Sequence, residues 1–304
     1  MFQSRTFPWL TCGGMALLAA MMAPQAVAQD QSQLLRWNLK PEQEFEVKIT
    51  QTSSQSIEVE GEKPSFSTEM RMYMTWHVDA VDTEGVATMT QTTDRIAMEV
   101  DMPTGKLRYD SADPGKPEGV GASIAGMMGP LVGMKTVQRM NSRGEILEVK
   151  MPEQILKNLK ASPVGQAMTE KSFGDMLRQT SPTMPVAAVK TGATWEQTSE
   201  TTSIMGRMKM VQTLTYQGPE QRDDRPVERI SLAYTLAVGN GDRGPRVRVT
   251  RQDNQGAILF DNVNGYLAAS QVQQSMSLIT EIQDQSIVQE IASTVRMTVE
   301  PITR

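Results

Sequence analysis

Strict alternation of apolar and polar residues over long runs is the feature that most constrains the fold of this chain. From residue 70 to residue 78, the even positions are Met, Met, Met, Trp and Val, and the odd positions are Arg, Tyr, Thr and His. A period of two places successive side chains on opposite faces of a β-strand. The pattern recurs at 45–50, 96–102, 230–238 and 287–299. A mainly β chain is therefore predicted, with one buried face on each strand.

Several of these runs are longer than ordinary strands, namely residues 68–80, 86–102 and 265–282. At about 3.3 Å per residue, fifteen residues extend about 50 Å, and strands of that length must coil strongly because of their intrinsic twist. About a dozen strand segments are predicted, which is more than the ~8 strands whose own side chains fill a closed sheet. We therefore predict a large curved antiparallel sheet, or half-barrel, with a few helices on its concave side.

Turn signals of the form Asx-x-x-Gly separate the runs and end at Gly85, Gly144, Gly256 and Gly265. In such a turn the Asx side chain bonds the backbone two residues on, and glycine adopts a positive φ at little cost. Turns of this kind join antiparallel neighbours, so the sequence predicts a meander of hairpins.

Helical stretches are predicted at residues 152–159 and 164–179, and the uncharged segment 120–134 is predicted to be a broken helix or an apolar loop. Two interpretations of this segment remain open: a plug packed inside the sheet, or a mobile lid over an apolar cavity. In the lid hypothesis, the side chains that contact an apolar ligand are Ile124, Ala125, Met127, Met128, Leu131 and Met134.

The first residues have the features of a secretory signal peptide, residues 1–28. Arg5 is its only charged residue, an apolar run covers 10–23, and Ala26-Val27-Ala28 fits the small-x-small rule of signal peptidase. The apolar run is shorter than the ~18–20 residues of a membrane-spanning helix. We expect cleavage after Ala28, export to the periplasm or the extracellular space, and a mature chain, 29–304, without a transmembrane span.

The mature chain is predicted to be one β-rich domain with two pseudo-repeated halves. Residues from about 34 to 150 and from about 190 to 302 each contain several long runs, and a helical segment, 151–189, joins them. The halves share no residue-level repeat, so the interpretation depends on the distribution of strands alone.

The residue types of the mature chain limit its chemistry. Cleavage would remove Cys12, the only cysteine, and leave His77 as the only histidine. Thiol nucleophiles, disulfides and the usual zinc ligand sets are then excluded, and we expect no metal and no cofactor. The chain has 30 basic and 35 acidic residues without basic runs, which argues against nucleic acid and anionic membrane surfaces.

No motif for catalysis is present either. His77 lies at an odd position, on the face of its predicted strand opposite to the apolar even positions. It therefore cannot share a site with Met72 or Met74. The segment Gly121–Gly126 around Ser123 is one residue too long for a nucleophile elbow. We therefore predict a protein without catalytic residues.

Methionine is unusually frequent, with 23 residues in the chain, most of them in the predicted mature part. Three interpretations apply: adaptable filling of a core, a deformable apolar binding site, or a thioether site for Cu(I). Alternate side chains on one strand face lie about 7 Å apart, too far for two sulfur atoms to share an ion unless they lean together.

Three short segments resemble a family of exported bacterial proteins that is classed as a domain of unknown function. They are Leu35-Arg36-Trp37-Asn38-Leu39, Phe45-Glu46-Val47-Lys48-Ile49, and Gly256-Ala257-Ile258-Leu259-Phe260-Asp261 with Gly265. The resemblance spans most of the mature chain. It implies export and a β-rich body, and it implies no activity and no catalytic residue.

The function that we expect is that of an exported, non-catalytic binding or envelope protein that holds an apolar or lipid-like small molecule. One alternative is an envelope scaffold that interacts with other envelope proteins. A second alternative is a hydrolase that uses paired carboxylates, because acidic residues are scattered over the polar strand faces.

Overall fold

The computed structural model describes residues 32–58, 61–113, 115, 118–153, 170–203, 206–239, 246–282 and 285–303. The predicted signal peptide and most of the predicted helix at 152–159 lie outside the described residues. The described strands form one antiparallel sheet of twelve strands, which confirms the mainly β prediction.

The strands are β1 Glu44–Glu58, β2 Ser65–Val81, β3 Ala87–Met102, β4 Gly105–Asp110, β5 Lys135–Met140, β6 Ile146–Lys150, β7 Thr194–Ser203, β8 Gly206–Arg222, β9 Arg225–Gly239, β10 Arg246–Asp261, β11 Tyr266–Ile282 and β12 Gln285–Pro301. Helix α1 covers Val120–Met128 and continues into a 3-10 turn at Gly129–Leu131, and helix α2 covers Glu170–Thr180. The three long strands predicted from the sequence are therefore confirmed as β2, β3 and β11.

The strand order is β6-β5-β3-β2-β1-β12-β11-β10-β9-β8-β7, and β4 pairs with the part of β3 that β5 leaves free. The first and last strands, β1 and β12, pair from Phe45–Pro301 to Glu58–Val288. This pairing joins β1–β6 and β7–β12, so the two predicted halves form the two flanks of one sheet. Their origin as a repeat stays a prediction.

The register assigns each strand residue to one of two faces. Phe45 and Val47 define the inner face, and their cross-strand partners there include Trp76, Met74 and Val299. The alternate side chains of each predicted run, including the even positions from 70 to 78, lie on this face. Arg71 is exposed on the outer face, as the alternation predicts.

The inner face is concave. The evidence is that side chains from strands far apart in the sheet order meet on this face in one hydrophobic core. Met140 on β5 and Leu214 on β8 belong to the same core cluster. Eight strand-to-strand steps separate these strands in the sheet order, and at about 4.8 Å per step a flat sheet would hold them about 38 Å apart. The sheet must therefore curl around its inner face.

The core lies at one end of the strands, which we call the core end, and residues 32–39 cross it. The Trp37 N–H donates to Ser142 O at 2.8 Å, and the Asn38 N–H donates to Gly265 O at 2.9 Å. The Trp37 ring meets Phe260 edge to face, with centroids 5.6 Å apart. The segment that precedes β1 thus closes the core end.

Helix α2 lies between the two edge strands of the sheet. It packs against β6 and β7, which are ten steps apart in the strand order. Arg178 Nε donates to Ile146 O on β6 at 3.0 Å, and Gln197 Nε2 on β7 donates to Arg178 O at 3.1 Å. The helix therefore covers part of both edges, where free backbone groups would otherwise invite pairing with another chain.

Three of the four predicted glycine turns are confirmed, because Gly85, Gly144 and Gly265 have φ of 77°, 84° and 73°. The turn predicted at Asp253–Gly256 is wrong, since these residues lie inside β10. A Cβ on Gly256 would approach Gln271 O on β11 to 2.5 Å. This glycine permits close approach of two strands, and it does not supply a positive φ.

Candidate functional site

A row of uncharged polar side chains crosses the inner face beyond the core. We call it the polar belt: Thr68 (β2), Ser53 (β1), Ser293 (β12), Gln274 (β11), Asn254 (β10), Tyr234 (β9), Gln212 (β8) and Gln197 (β7). Successive members are cross-strand partners, except that the step from Asn254 to Tyr234 is made by a bond from Asn254 Nδ2 to Tyr234 O at 3.2 Å. The belt ends at α2, where Gln197 binds Arg178 O and Ser181 O.

On the side of the belt away from the core, the inner face is again mostly apolar. We call this surface the far apolar band: Ile57, Phe66, Met208, Met210, Leu236, Val238, Val247, Val249, Met276, Leu278, Ile287 and Ile291. None of these residues belongs to the core cluster. Val247, Met276 and Leu278 are buried, and the other members are only half-buried. The strands thus extend a second apolar surface beyond the packed core.

Neither the polar belt nor the far apolar band contains a charged side chain. Charged residues of the same strands, such as Arg71 and Lys209, alternate onto the outer face. Burial raises the pKa of the Tyr234 phenol above its usual value, so this belt residue is neutral at neutral pH. Because an unpaired buried charge is costly, this surface suits an uncharged group.

Strands β9 and β10 separate at the belt. Their backbone pairing runs only from Glu228–Phe260 to Ala233–Gln255, although both strands continue. The side chain of Gln252 spans the gap: Oε1 accepts from the Leu236 N–H at 2.7 Å, and Nε2 donates to Leu236 O at 3.1 Å. Side-chain amides therefore replace the backbone ladder at this point.

Asn254 has a buried acceptor without a partner. The residue is 5% exposed, and its Nδ2 donates to Tyr234 O at 3.2 Å and to Gln252 Oε1 at 3.0 Å. Its Oδ1 is buried and receives no hydrogen bond from any residue that the structure describes. Such atoms are rare in folded proteins, since an unpaired buried polar group costs about 1–3 kcal/mol. Among the described residues, Trp37 Nε1, Trp76 Nε1 and His77 Nδ1 are also buried without a hydrogen bond, and Asn254 Oδ1 is the one of these four atoms that lies on the polar belt.

The residues of the predicted lid come together beside β3 and β4. Helix α1 packs against β4, and Thr93 on β3 exchanges backbone hydrogen bonds with Gly133 and Met134 at 2.7 and 3.1 Å. Met127 is 59% exposed, and the remaining members are half-buried: Ile124, Ala125, Met128, Leu131 and Met134. The segment is a helix that continues as a 3-10 turn from Gly129, which is nearer to the first of the two predicted forms, a broken helix or an apolar loop. Its role as a lid stays a prediction. Among the described helices, none is long and apolar enough to cross a membrane.

A groove of about 580 Å³ crosses β1, β12 and β11, and most of its lining residues lie on the outer face, although Ser53, Thr68, Gln274 and Ser293 of the polar belt also line it. Small side chains such as Ser54, Ser275 and Ala292 line it, with Lys106 and Asp253 also in its wall. Within the described part of the chain, no aromatic or large aliphatic side chain lines this groove. It therefore suits polar partners and differs in chemistry from the inner face.

His77 lies on the outer face, on the side of its strand opposite to Met74 and Trp76. Its Nδ1 is 3.4 Å from Glu44 Oε1, and its Nε2 is 3.8 Å from Asp79 Oδ1. Over the described ranges, no group of three or more His, Cys, Asp or Glu side chains is placed to hold a metal ion.

Sequence comparison relates part of the chain to a family of unknown function, DUF6263, whose model matches residues 84–222. The match runs from the turn before β3 to the end of β8 and covers less than half of the chain. A likeness to a family of unknown function is therefore confirmed over residues 84–222 alone. The three segments that carried the predicted resemblance lie outside this region, and export and a bacterial source stay predictions. No protein with a curated description is significantly similar in sequence to this chain.

Among solved structures, lipovitellin, determined in a study of its lipid-protein interactions, is 12% identical with a TM-score of 0.47. The match covers 86% of this chain and 25% of lipovitellin, so the chain spans about a quarter of that protein. DynF of Micromonospora chersina is 7% identical over 87% of this chain and 83% of its own, with a TM-score of 0.22. An outer membrane channel from Pseudomonas putida F1 is 9% identical over 87% and 97%, with a TM-score of 0.23. These distant likenesses carry no functional argument.

Proposed function

We propose that this protein is a non-catalytic binding protein that holds an apolar, lipid-like ligand against the far apolar band of its concave face. The observation that supports the proposal most directly is the half-burial of this band, which lies beyond the core cluster on the same face. Covering apolar surface stabilises a complex by roughly 25 cal/mol per Å² removed from water. A ligand of extended hydrocarbon shape would cover the side chains that the core leaves partly exposed.

The composition of the far apolar band suits ligands of different shapes. Met208, Met210 and Met276 contribute unbranched, polarizable side chains that adapt to irregular surfaces. The absence of charge from the belt and the band removes any penalty for burying ionised groups under a hydrocarbon. In this proposal, residues 1–28 direct the protein out of the cytoplasm, where it carries the ligand in the periplasm or outside the cell.

A pair of matched double variants tests the site. Leu236 and Met210 are cross-strand partners on the inner face, and the exposed Ala237 and Lys209 are cross-strand partners on the outer face of the same two strands. We expect the neutral fluorescent probe N-phenyl-1-naphthylamine to bind the wild-type protein. Leu236→Gln with Met210→Gln should weaken binding by about tenfold or more, because two apolar contacts are lost. Ala237→Gln with Lys209→Gln should leave it unchanged.

Absence of probe fluorescence with the folded wild-type protein would contradict the proposal, and so would equal effects of the two double variants. Circular dichroism of each variant shows whether its sheet is intact. If the inner-face variant does not fold, titration of the wild-type protein with the probe alone tests the proposal. A negative result would favour the envelope scaffold, for which the outer polar groove is one concave surface of suitable size.

The same probe tests the lid hypothesis through Ala125→Trp. Ala125 is half-buried in α1 beside β4. If α1 moves over bound ligand, the larger side chain should change probe affinity without a loss of stability. If α1 is a packed plug, the variant should instead lose about 1–3 kcal/mol of unfolding free energy through overpacking, with unchanged probe affinity. Urea unfolding and probe titration of one sample separate the two outcomes.

A further inference from the structure

We propose that the ligand carries an uncharged hydrogen-bond donor, a hydroxyl or an amide N–H, that binds Asn254 Oδ1 while its hydrocarbon lies on the far apolar band. This inference rests on the proposed function and adds the chemical class of the ligand: a neutral amphiphile such as a long-chain alcohol or an acylated amide.

The orientation of the Asn254 amide follows from its neighbours. The Leu236 N–H must meet an oxygen, so Gln252 Oε1 faces it at 2.7 Å and Gln252 Nε2 faces Leu236 O at 3.1 Å. Gln252 Oε1 and Tyr234 O are then the two groups that face the Asn254 amide at 3.0 and 3.2 Å, and both are acceptors. Only Nδ2 can serve them, because an amide oxygen donates no hydrogen bond. Oδ1 is therefore turned to the other side and is left without a donor.

The chemistry of this atom selects its partner. An amide oxygen accepts hydrogen bonds, so it can bind a donor and gains nothing from a carboxylate or an ether oxygen. The polar belt and the far apolar band contain no lysine, arginine or histidine to neutralise an anionic head. A carboxylate or phosphate buried here would lack a counter-charge, and such burial is costly. A neutral donor is thus the head group that the described surface can satisfy.

A ligand would enter the belt by displacing one of its side chains. Oδ1 has almost no solvent-exposed surface, so a ligand reaches it only after a neighbouring side chain shifts. Gln274 lies directly across the strand pair from Asn254. Its Nε2 donates to the thioether of Met276 at 3.1 Å, and its Oε1 accepts from Ser293 Oγ at 3.3 Å. A thioether is a weak acceptor, so this amide can leave its position at little cost.

The geometry also places the head and the hydrocarbon of one molecule on adjoining surfaces. Leu236 of the far apolar band follows Tyr234 on the inner face of β9, and Met276 follows Gln274 on the inner face of β11. A donor at Asn254 Oδ1 therefore lies one row from the band. A chain of twelve carbons attached to it can extend over the band toward Val238 and Leu278.

Displacement of N-phenyl-1-naphthylamine by three ligands of one chain length tests the inference. Dodecanol offers a donor, its methyl ether offers only an acceptor, and dodecanoate at about pH 8 is an anion. We expect dodecanol to bind about tenfold tighter than the ether, since one buried acceptor gains its bond. Dodecanoate should bind more weakly than the alcohol. In Asn254→Leu, a near-isosteric change, the preference for dodecanol over the ether should disappear, whereas Gln255→Leu on the outer face should retain it.

The outcomes separate the inference from the proposed function. If none of the three ligands displaces the probe, or the probe does not bind, both fail. If the ether and the alcohol bind the wild-type protein equally, the far apolar band binds hydrocarbon and the role of Asn254 is refuted. Tightest binding of dodecanoate would likewise refute a neutral head group. The ratio of the dodecanol affinity to the ether affinity in the wild-type protein tests the role of Asn254 even if Asn254→Leu fails to fold.

Discussion

Replacement of Phe260 by alanine is expected to lower the free energy of unfolding by about 3–5 kcal/mol, because it deletes a fully buried aromatic ring and leaves a cavity. Phe260 is 0% exposed on β10 and meets Trp37 edge to face at 5.6 Å. The ring therefore joins the sheet to the segment that closes the core end. Loss of an aromatic pair adds to the cost of the lost burial.

Urea unfolding of the protein, followed by tryptophan fluorescence, measures this change. Val263 is the matched control, because it lies three residues away in the turn after β10 and is 73% exposed. Val263→Ala should stay within about 0.5 kcal/mol of the wild type. Equal losses for the two variants would mean that residues 32–39 do not pack on the sheet as described.

Replacement of Gly265 by alanine is expected to cost about 2–5 kcal/mol, the sum of two separate effects. The residue has φ of 73°, and a side chain in that region costs about 1–2 kcal/mol. Its Cβ would also lie 2.3 Å from Asn38 N and 2.4 Å from Asn38 Cβ. The segment 32–39 would have to move away, and overpacking of this kind costs about 1–3 kcal/mol.

Gly61 separates these two effects. Its φ is 85°, and a Cβ there would meet nothing within 4 Å. Gly61→Ala should therefore show only the backbone cost of about 1–2 kcal/mol. The difference between the two variants in unfolding free energy measures the clash with Asn38. If both variants lose the same unfolding free energy, a Cβ at residue 265 does not clash with Asn38, and Gly265 is not required for the close approach of the segment 32–39.

The polar belt was missed from the sequence, although each of its members leaves a signal there. Gln274 lies between Val272 and Met276, Ser293 lies between Ile291 and Val295, and each pair of neighbours lies on the same face. A single polar residue among apolar neighbours can be recognised in the sequence of one strand. Its alignment with polar residues of seven other strands depends on register, which the local pattern does not contain.

The wrong turn at Gly256 has a similar origin. The pattern Asx-x-x-Gly at Asp253–Gly256 is the same as that at Asn262–Gly265. The glycine of the first segment is required by the backbone of β11, 2.5 Å from where a Cβ would stand, and the glycine of the second is required by a positive φ. Both requirements are met by glycine, so the two cases look identical in the sequence. Only the presence of the neighbouring strand in the folded protein distinguishes a close approach from a turn.

By itself, the sequence determined the alternating strands β1, β2, β3, β9, β11 and β12, their inner and outer faces, and three of the glycine turns. Alternation and turn geometry are local, because they depend on residues within a few positions of one another. The tertiary structure alone decided that β1 pairs with β12, that the sheet curls until Met140 and Leu214 share a core, and that α2 covers both edges. It also decided that Asn254 is left with an unpaired acceptor. These features join residues up to about 250 positions apart, and the free energy that selects among such pairings comes from packing, which no local pattern encodes.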